Sequence, residues 1–235
     1  MKKKAEKRKI RIAIDGPGGA GKSTVAREVA KRRGFIYVDT GALYRGVGLF
    51  AARAGLAMDD ADGVVALLPD VRIDFVPDGD RGKMLLCGED VGDAIRTPEA
   101  SLYASAVSKI PAVREHLLGL QKEFAEKGGV VMDGRDIGTV IIPDAEFKLF
   151  LTASPETRAK RRFLELEQKG TPQPYDEVLA DIIKRDREDS EREIAPLRPA
   201  DDAVVFMNDE YGLEETIVKV LEMIDEAVEK YGREA

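Results

Sequence analysis

Two glycines bracket four residues and are followed by Lys and Ser in the stretch Gly16-Pro17-Gly18-Gly19-Ala20-Gly21-Lys22-Ser23-Thr24. These residue types at this spacing suit a phosphate. Glycines let backbone N–H groups turn toward an anion at angles other residues resist. A helix starting at Lys22 would add the partial positive charge of its N-terminus. Lys22 can reach β- and γ-phosphates, and the Ser23 hydroxyl can join a Mg²⁺ shell. The pattern counts only if a strand precedes it and a helix follows. Both flanks comply. Ile10-Arg11-Ile12-Ala13-Ile14 reads as a buried strand, and Thr24-Val25-Ala26-Arg27-Glu28-Val29-Ala30-Lys31 as a helix. The chain therefore reads as a binder of a nucleoside triphosphate, with every residue from Gly16 to Thr24 a candidate contact.

Other clusters suggest a second ligand. An apolar strand at 130–132 runs into Asp133-Gly134-Arg135-Asp136-Ile137-Gly138-Thr139. Ligands of open parallel sheets bind outside the carboxyl ends of strands. An Asp directly after such a strand also suits Mg²⁺, and Asp133 is the candidate. A charged turn capping the next segment would look the same. Asp39-Thr40-Gly41-Ala42-Leu43-Tyr44-Arg45 offers a cap at Asp39 or Thr40, with Arg45 a turn further on. It is either an anion site or an ordinary N-cap beside a solvated Arg. Arg185, Asp189 and Arg192 share one helical face with Val178 and Ile182, as in a partly buried cleft or an intrahelical ladder of ion pairs. Arg158, Arg161 and Arg162 share another face, where they could meet ATP from a lid or simply face water. His116 is the only histidine and has no metal-ligand partner at a useful spacing, so it reads as structural. Hydrolytic chemistry through Ser–His or Cys–His pairs has no support.

Positioning such groups requires a frame. Strand signals fall at 10–14, 35–38, 130–132, 147–151 and 203–206. Helical signals fall at 22–32, 41–54, 60–68, 98–108, 112–126, 155–168, 175–191 and 213–231. This alternation predicts an α/β fold of three layers, with a mostly parallel five-stranded sheet between helices. Val71–Phe75 and Lys83–Leu86 break the pattern. They flank the turn signal Pro77-Asp78-Gly79-Asp80-Arg81-Gly82, which predicts an inserted antiparallel hairpin. The insertion is expected at about 63–108. Gly170-Thr171-Pro172-Gln173-Pro174 reads as the hinge of a short helical lid, expected at about 158–175.

Composition bounds the remaining classes. The chain has 235 residues, a net charge of −7 and one cysteine, Cys87. The acidic balance argues against nucleic acid as the main partner. A lone cysteine excludes an intramolecular disulfide framework and fits a reducing cytoplasm. Residues 1–9 are strongly basic, but no apolar run follows them, so they read as a disordered solvated tail rather than an export signal. No stretch is long and apolar enough to suggest a membrane span.

Taken together, these motifs resemble the bacterial cytidylate (CMP/dCMP) kinases. The likeness rests on Ile14–Thr24, Asp39–Arg45, Ile95-Arg96-Thr97-Pro98-Glu99, Asp133–Thr139, and Arg185–Asp189 leading through Arg192 to Ala195-Pro196-Leu197-Arg198-Pro199-Ala200. It covers nearly all of the chain after the basic tail. The resemblance implies a single kinase domain over 10–235, with a core, an insertion that binds the nucleoside monophosphate, and a lid. It implies Mg²⁺-assisted transfer of the ATP γ-phosphoryl group to CMP or dCMP, and a monomer is the expected state. Thr40, Arg45, Arg135 and Arg192 would hold the acceptor phosphate. Ser105, Arg114 and Asp136 would read cytosine, and Arg185 and Asp189 would contact the ribose. Lys22, Arg135, Arg185 and Arg192 would act on the transferred group. Arg158 and Arg162 would meet ATP, and Ser23 would hold Mg²⁺, with Asp133 acting through water. The family often carries Ser where Thr40 stands, which keeps the hydroxyl.

Overall fold

The opening strand β1 (Arg11–Asp15) owes its place to Ile12, Ala13 and Ile14, which have no exposed surface. A strand buried on both faces belongs at the centre of a parallel sheet. The structure, a computed structural model, describes residues 10–76 and 83–234. The basic tail at 1–9 and the turn at 77–82 lie outside the described residues.

Helix α1 (Lys22–Arg33) follows the glycine loop and buries Val25, Ala26, Val29 and Ala30 along one face. It stops at Gly34, whose φ of 64° suits glycine, and Phe35 N–H returns to Ala30 O at 2.8 Å. Then come β2 (Ile36–Asp39), α2 (Thr40–Arg53) and α3 (Ala61–Leu67). The insertion contributes β3 (Ile73–Val76), β4 (Lys83–Leu86) and β5 (Glu89–Asp90). Helices α4 (Pro98–Val107) and α5 (Pro111–Glu126) lead to β6 (Val130–Gly134), a π-helical turn (Ile137–Ile141) and β7 (Phe147–Thr152). The chain closes with α6 (Pro155–Gln168), α7 (Tyr175–Glu191), β8 (Val204–Met207) and α8 (Leu213–Glu234).

Chain contacts divide the molecule into two compact units. One holds the described residues up to Val38 and from Phe124 onward; the other is Asp39–Glu123. The first is built on the five-stranded sheet, in the order β2-β6-β1-β7-β8. β1 runs parallel to β6 and β7, and β7 parallel to β8. Ile12 stands between Val131 and Phe147, so the core grows from the middle strand. α1 and α8 cover it through Val25, Val29, Ile217, Val220 and Ile224. α6 and α7 pack through Ala159, Leu166 and Val178.

The second unit has its own core, in which Leu43 and Val47 of α2 meet Ile73, Met84, Leu86, Val107 and Val113. The hairpin is antiparallel, with Ile73 opposite Leu86 and Phe75 opposite Met84. A third strand, β5, adds to it and was not read from the sequence. The insertion expected at about 63–108 falls inside this unit.

Candidate phosphate-transfer site

The glycine loop is held by what lies against it. At Gly16, with φ 145°, a Cβ would come 2.0 Å from the carbonyl oxygen of Leu151 in β7. Only glycine fits so close to another backbone. Gly21 takes a left-handed conformation (φ 89°) as the N-cap of α1, with no side-chain capping bond and no acidic residue in the first turn. The first turn thus presents N–H groups and carries no acidic residue of its own, as an anion site favours.

Lys22 is buried, and its Nζ donates to Pro17 O at 2.7 Å. Burial, then the Arg135 guanidinium, lowers its pKa to about 7, against the opposing pull of Asp133 and Asp15. Ser23 Oγ donates to Asp133 Oδ2 at 2.8 Å, and Tyr37 Oη donates to Asp133 Oδ1 at 2.9 Å. A hydroxyl and a carboxylate placed together are hard oxygen donors suited to Mg²⁺. Among the described residues no group of three or more His, Cys, Asp or Glu is arranged to hold a metal.

A set of arginines and aspartates adjoins the loop. Arg135 Nε donates to Asp189 Oδ2 at 2.9 Å, and a Cβ on Gly18 would lie 3.5 Å from Arg135 Nη2. Arg192 donates to Asp136 Oδ1 at 3.4 Å and through Nε to Ala195 O at 2.6 Å. Ala195 adopts φ 50°, a strained angle for alanine. Burial raises the Asp189 pKa, but Arg135, Arg185 and Arg192 outweigh it and hold this carboxyl below its ordinary value. Asp189 on this helical face thus pairs across to Arg135 at the end of β6.

Arg158 is 3% exposed and lies under the loop. It donates to Gly18 O at 3.0 Å and Ala153 O at 2.9 Å, and it pairs with Asp186. Arg161 instead bonds Asn208, and Arg162 pairs with Glu165 on the same helix at 3.0 Å. The three arginines thus have three separate environments.

Within the second unit, Asp39 rather than Thr40 caps α2, accepting from Ala42 N–H at 3.0 Å. Its other oxygen pairs with Arg45 at 2.7 Å, and Thr40 is buried. Arg114 is buried, donates to Ser108 O at 3.3 Å and lies 5.7 Å from the centre of the Tyr44 ring. Ser105 is half-buried on α4, and its carbonyl accepts from Ser108 Oγ at 2.9 Å. No helix among the described residues is long and apolar enough to cross a membrane.

Comparison with known proteins identifies the frame. The family model described as cytidylate kinase matches residues 12–226. The chain belongs to the cytidylate kinase family. It is 51% identical to a cytidylate kinase of Caldicellulosiruptor bescii over 94% of this chain and 98% of that one. A cytidylate kinase of Carboxydothermus hydrogenoformans is 49% identical over 92% of this chain and 97% of its own. Membership makes the chain an enzyme, a phosphotransferase of the nucleoside monophosphate kinase class.

Several residues that support the site in this cytidylate kinase family member carry no motif. Asn208, 3% exposed, donates to Ala20 O at 3.2 Å while accepting from Arg161 at 3.1 Å. Its only signal is an Asn just past a strand. Tyr37 gave none, because a tyrosine in a short strand is common, and Asp186 lay inside the Arg185–Asp189 stretch without being given a role of its own.

Proposed function

We propose that the chain transfers the γ-phosphoryl group of ATP to CMP or dCMP, giving ADP and CDP or dCDP. The observation that carries this is Arg135, anchored by Asp189 and lying against Gly18 of the phosphate loop. A guanidinium there can neutralise charge on a transferred or an acceptor phosphate, and membership of the cytidylate kinase family favours the acceptor reading over simple hydrolysis.

In this reading Gly16–Thr24 cradle the ATP phosphates, with Lys22 on the β- and γ-phosphates and Arg158 and Arg162 on the ATP side. Ser23, with Asp133 through water, would hold Mg²⁺, which would supply positive charge against the triphosphate. Thr40, Arg45, Arg135 and Arg192 hold the acceptor phosphate, and Arg185 and Asp189 hold the ribose. Asp136 accepts from the exocyclic amine of cytosine, while Arg114 and Ser105 meet the rest of its polar edge. Uracil reverses that donor–acceptor pattern, and a site built on polar pairing rejects the mismatched base. The acceptor phosphate is itself the nucleophile, so no strong base is required. Alignment and charge neutralisation by Lys22 and the arginines do the chemistry. The single Cys87 suits a reducing cytoplasm.

Steady-state turnover with CMP, dCMP, UMP, AMP and GMP tests the assignment. CMP or dCMP should be fastest, and Arg192→Ala should lose CMP turnover while still binding ATP. Fastest turnover on UMP or a purine nucleotide would refute it.

A further inference from the structure

The carboxylate of Asp15 has a task that neither the phosphate loop nor the sheet explains. Asp15 ends β1 and is 4% exposed. Its Oδ1 accepts from Ile137 N–H at 2.8 Å and its Oδ2 from Gly138 N–H at 2.7 Å. These are the first two N–H groups of the π-helical turn, and like those of any helix start they have no partner within it. The fit is close. A Cβ on Gly138 would lie 3.3 Å from Asp15 Oδ2 and 3.2 Å from Lys148 Cδ.

We propose that Asp15 is a positioning residue for the acceptor: its carboxylate fixes the backbone at Ile137 and Gly138, and thereby aims Arg135 and Asp136. This rests on the acceptor roles proposed above for those two side chains. Arg135 and Asp136 directly precede the clamped residues, and their outer ends are fixed by Asp189 and Arg192. Asp15 supplies the inner anchor. The residue after it, Gly16, opens the phosphate loop, so one rigid strand end sets both the donor loop and the acceptor segment. A strand end this deep would be filled more cheaply by an apolar side chain, because a buried carboxylate carries a desolvation cost. Burial pushes the Asp15 carboxyl up to about 6, against the opposing pull of the two N–H bonds and the weaker one of Lys22.

The test measures KM for CMP, KM for ATP, kcat, the preference for CMP over UMP, and thermal midpoint in Asp15→Asn, Asp15→Ala and Gly138→Ala. Asn keeps one acceptor for the two N–H groups and Ala keeps none. Asp15→Asn should raise KM for CMP about tenfold, the scale of one lost charge-assisted hydrogen bond, with KM for ATP within about twofold. Asp15→Ala should raise it further, and the preference for CMP over UMP should fall in step. Gly138→Ala, which crowds the same carboxylate without removing it, should shift KM for CMP the same way and carries the test if Asp15→Ala does not fold. An equal rise in both KM values, or no change in either in a folded variant, would overturn the proposal. A wild-type enzyme that prefers UMP or AMP would instead overturn the acceptor reading beneath it.

Discussion

The Ser23 hydroxyl donates to Asp133 Oδ2 at 2.8 Å, joining the first turn of α1 to the end of β6. The two residues are far apart in sequence, yet parallel pairing of β1 with β6 brings Asp15 beside Gly134 and so sets Asp133 next to the loop. In the proposed reading, this pair would hold Mg²⁺.

Asp133→Asn should therefore raise the Mg²⁺ concentration needed for half-maximal rate by about 10–100-fold. Titrating Mg²⁺ at saturating ATP and CMP checks this. An unchanged Mg²⁺ requirement would remove Asp133 from the metal's surroundings.

ATP binding should take up a proton. Burial, then Arg135, lowers the Lys22 pKa to about 7, so at pH 8 much of the free enzyme carries a neutral amine. Triphosphate oxygens favour the charged form and raise this pKa again. Uptake should approach about one proton at pH 8 and shrink toward pH 6, where Lys22 is already charged. Calorimetry in buffers of different ionisation enthalpy reads it directly. Buffer-independent heats at pH 8 would contradict it.

Asp186→Ala should loosen the phosphate loop. It leaves Arg158, 3% exposed, with only carbonyl partners. Breaking a fully buried pair costs about 3–5 kcal/mol, and because Asp186 is partly exposed about 2–3 kcal/mol is expected here. Urea denaturation should show the loss, and KM for ATP should rise more than KM for CMP. A variant within about 0.5 kcal/mol of wild type would show that the pair carries no load.

Asp15 makes a pH-dependent contribution of unusual sign. Its pKa rises from 3.8 to about 6 in the fold, chiefly through burial. Between those values the folded state binds more protons than the unfolded chain. The contribution of this group is therefore full below about 4 and is lost as pH rises through about 6. Wild-type stability minus that of Asp15→Asn should decline across that interval in chemical denaturation. A difference that stays flat, or grows, would show that Asp15 titrates as an ordinary carboxylate.

What could be read from the chain follows from how local each signal is. The phosphate loop declares itself because Gly16, Gly21, Lys22 and Ser23 act at fixed spacing with a strand before and a helix after. Element ends at 155–168 and 175–191 agree with α6 and α7, because Ser154-Pro155 and Pro174 punctuate them. β5 escaped notice because two acidic residues, Glu89 and Asp90, carry no strand pattern. The π-helical turn escaped because Ile137-Gly138-Thr139-Val140-Ile141 has neither period. Asp186 and Asn208 could not be assigned, since each acts on a loop carbonyl more than a hundred residues away, directly for Asn208 and through Arg158 for Asp186. Spacing reveals groups that act on a neighbour in sequence and is silent about those that act on a neighbour in space.

The contact at Gly16 has a consequence for transplantation. The Leu151 carbonyl occupies the place where any other residue would carry its first side-chain carbon. The loop's entry angle is thus moulded by β7, and its floor by Arg158 just beyond that strand. Grafted alone onto another scaffold, residues 16–24 would keep their glycines and their lysine but lose the wall that shapes them. The smallest portable unit is the loop together with β1, β7 and the first turn of α6.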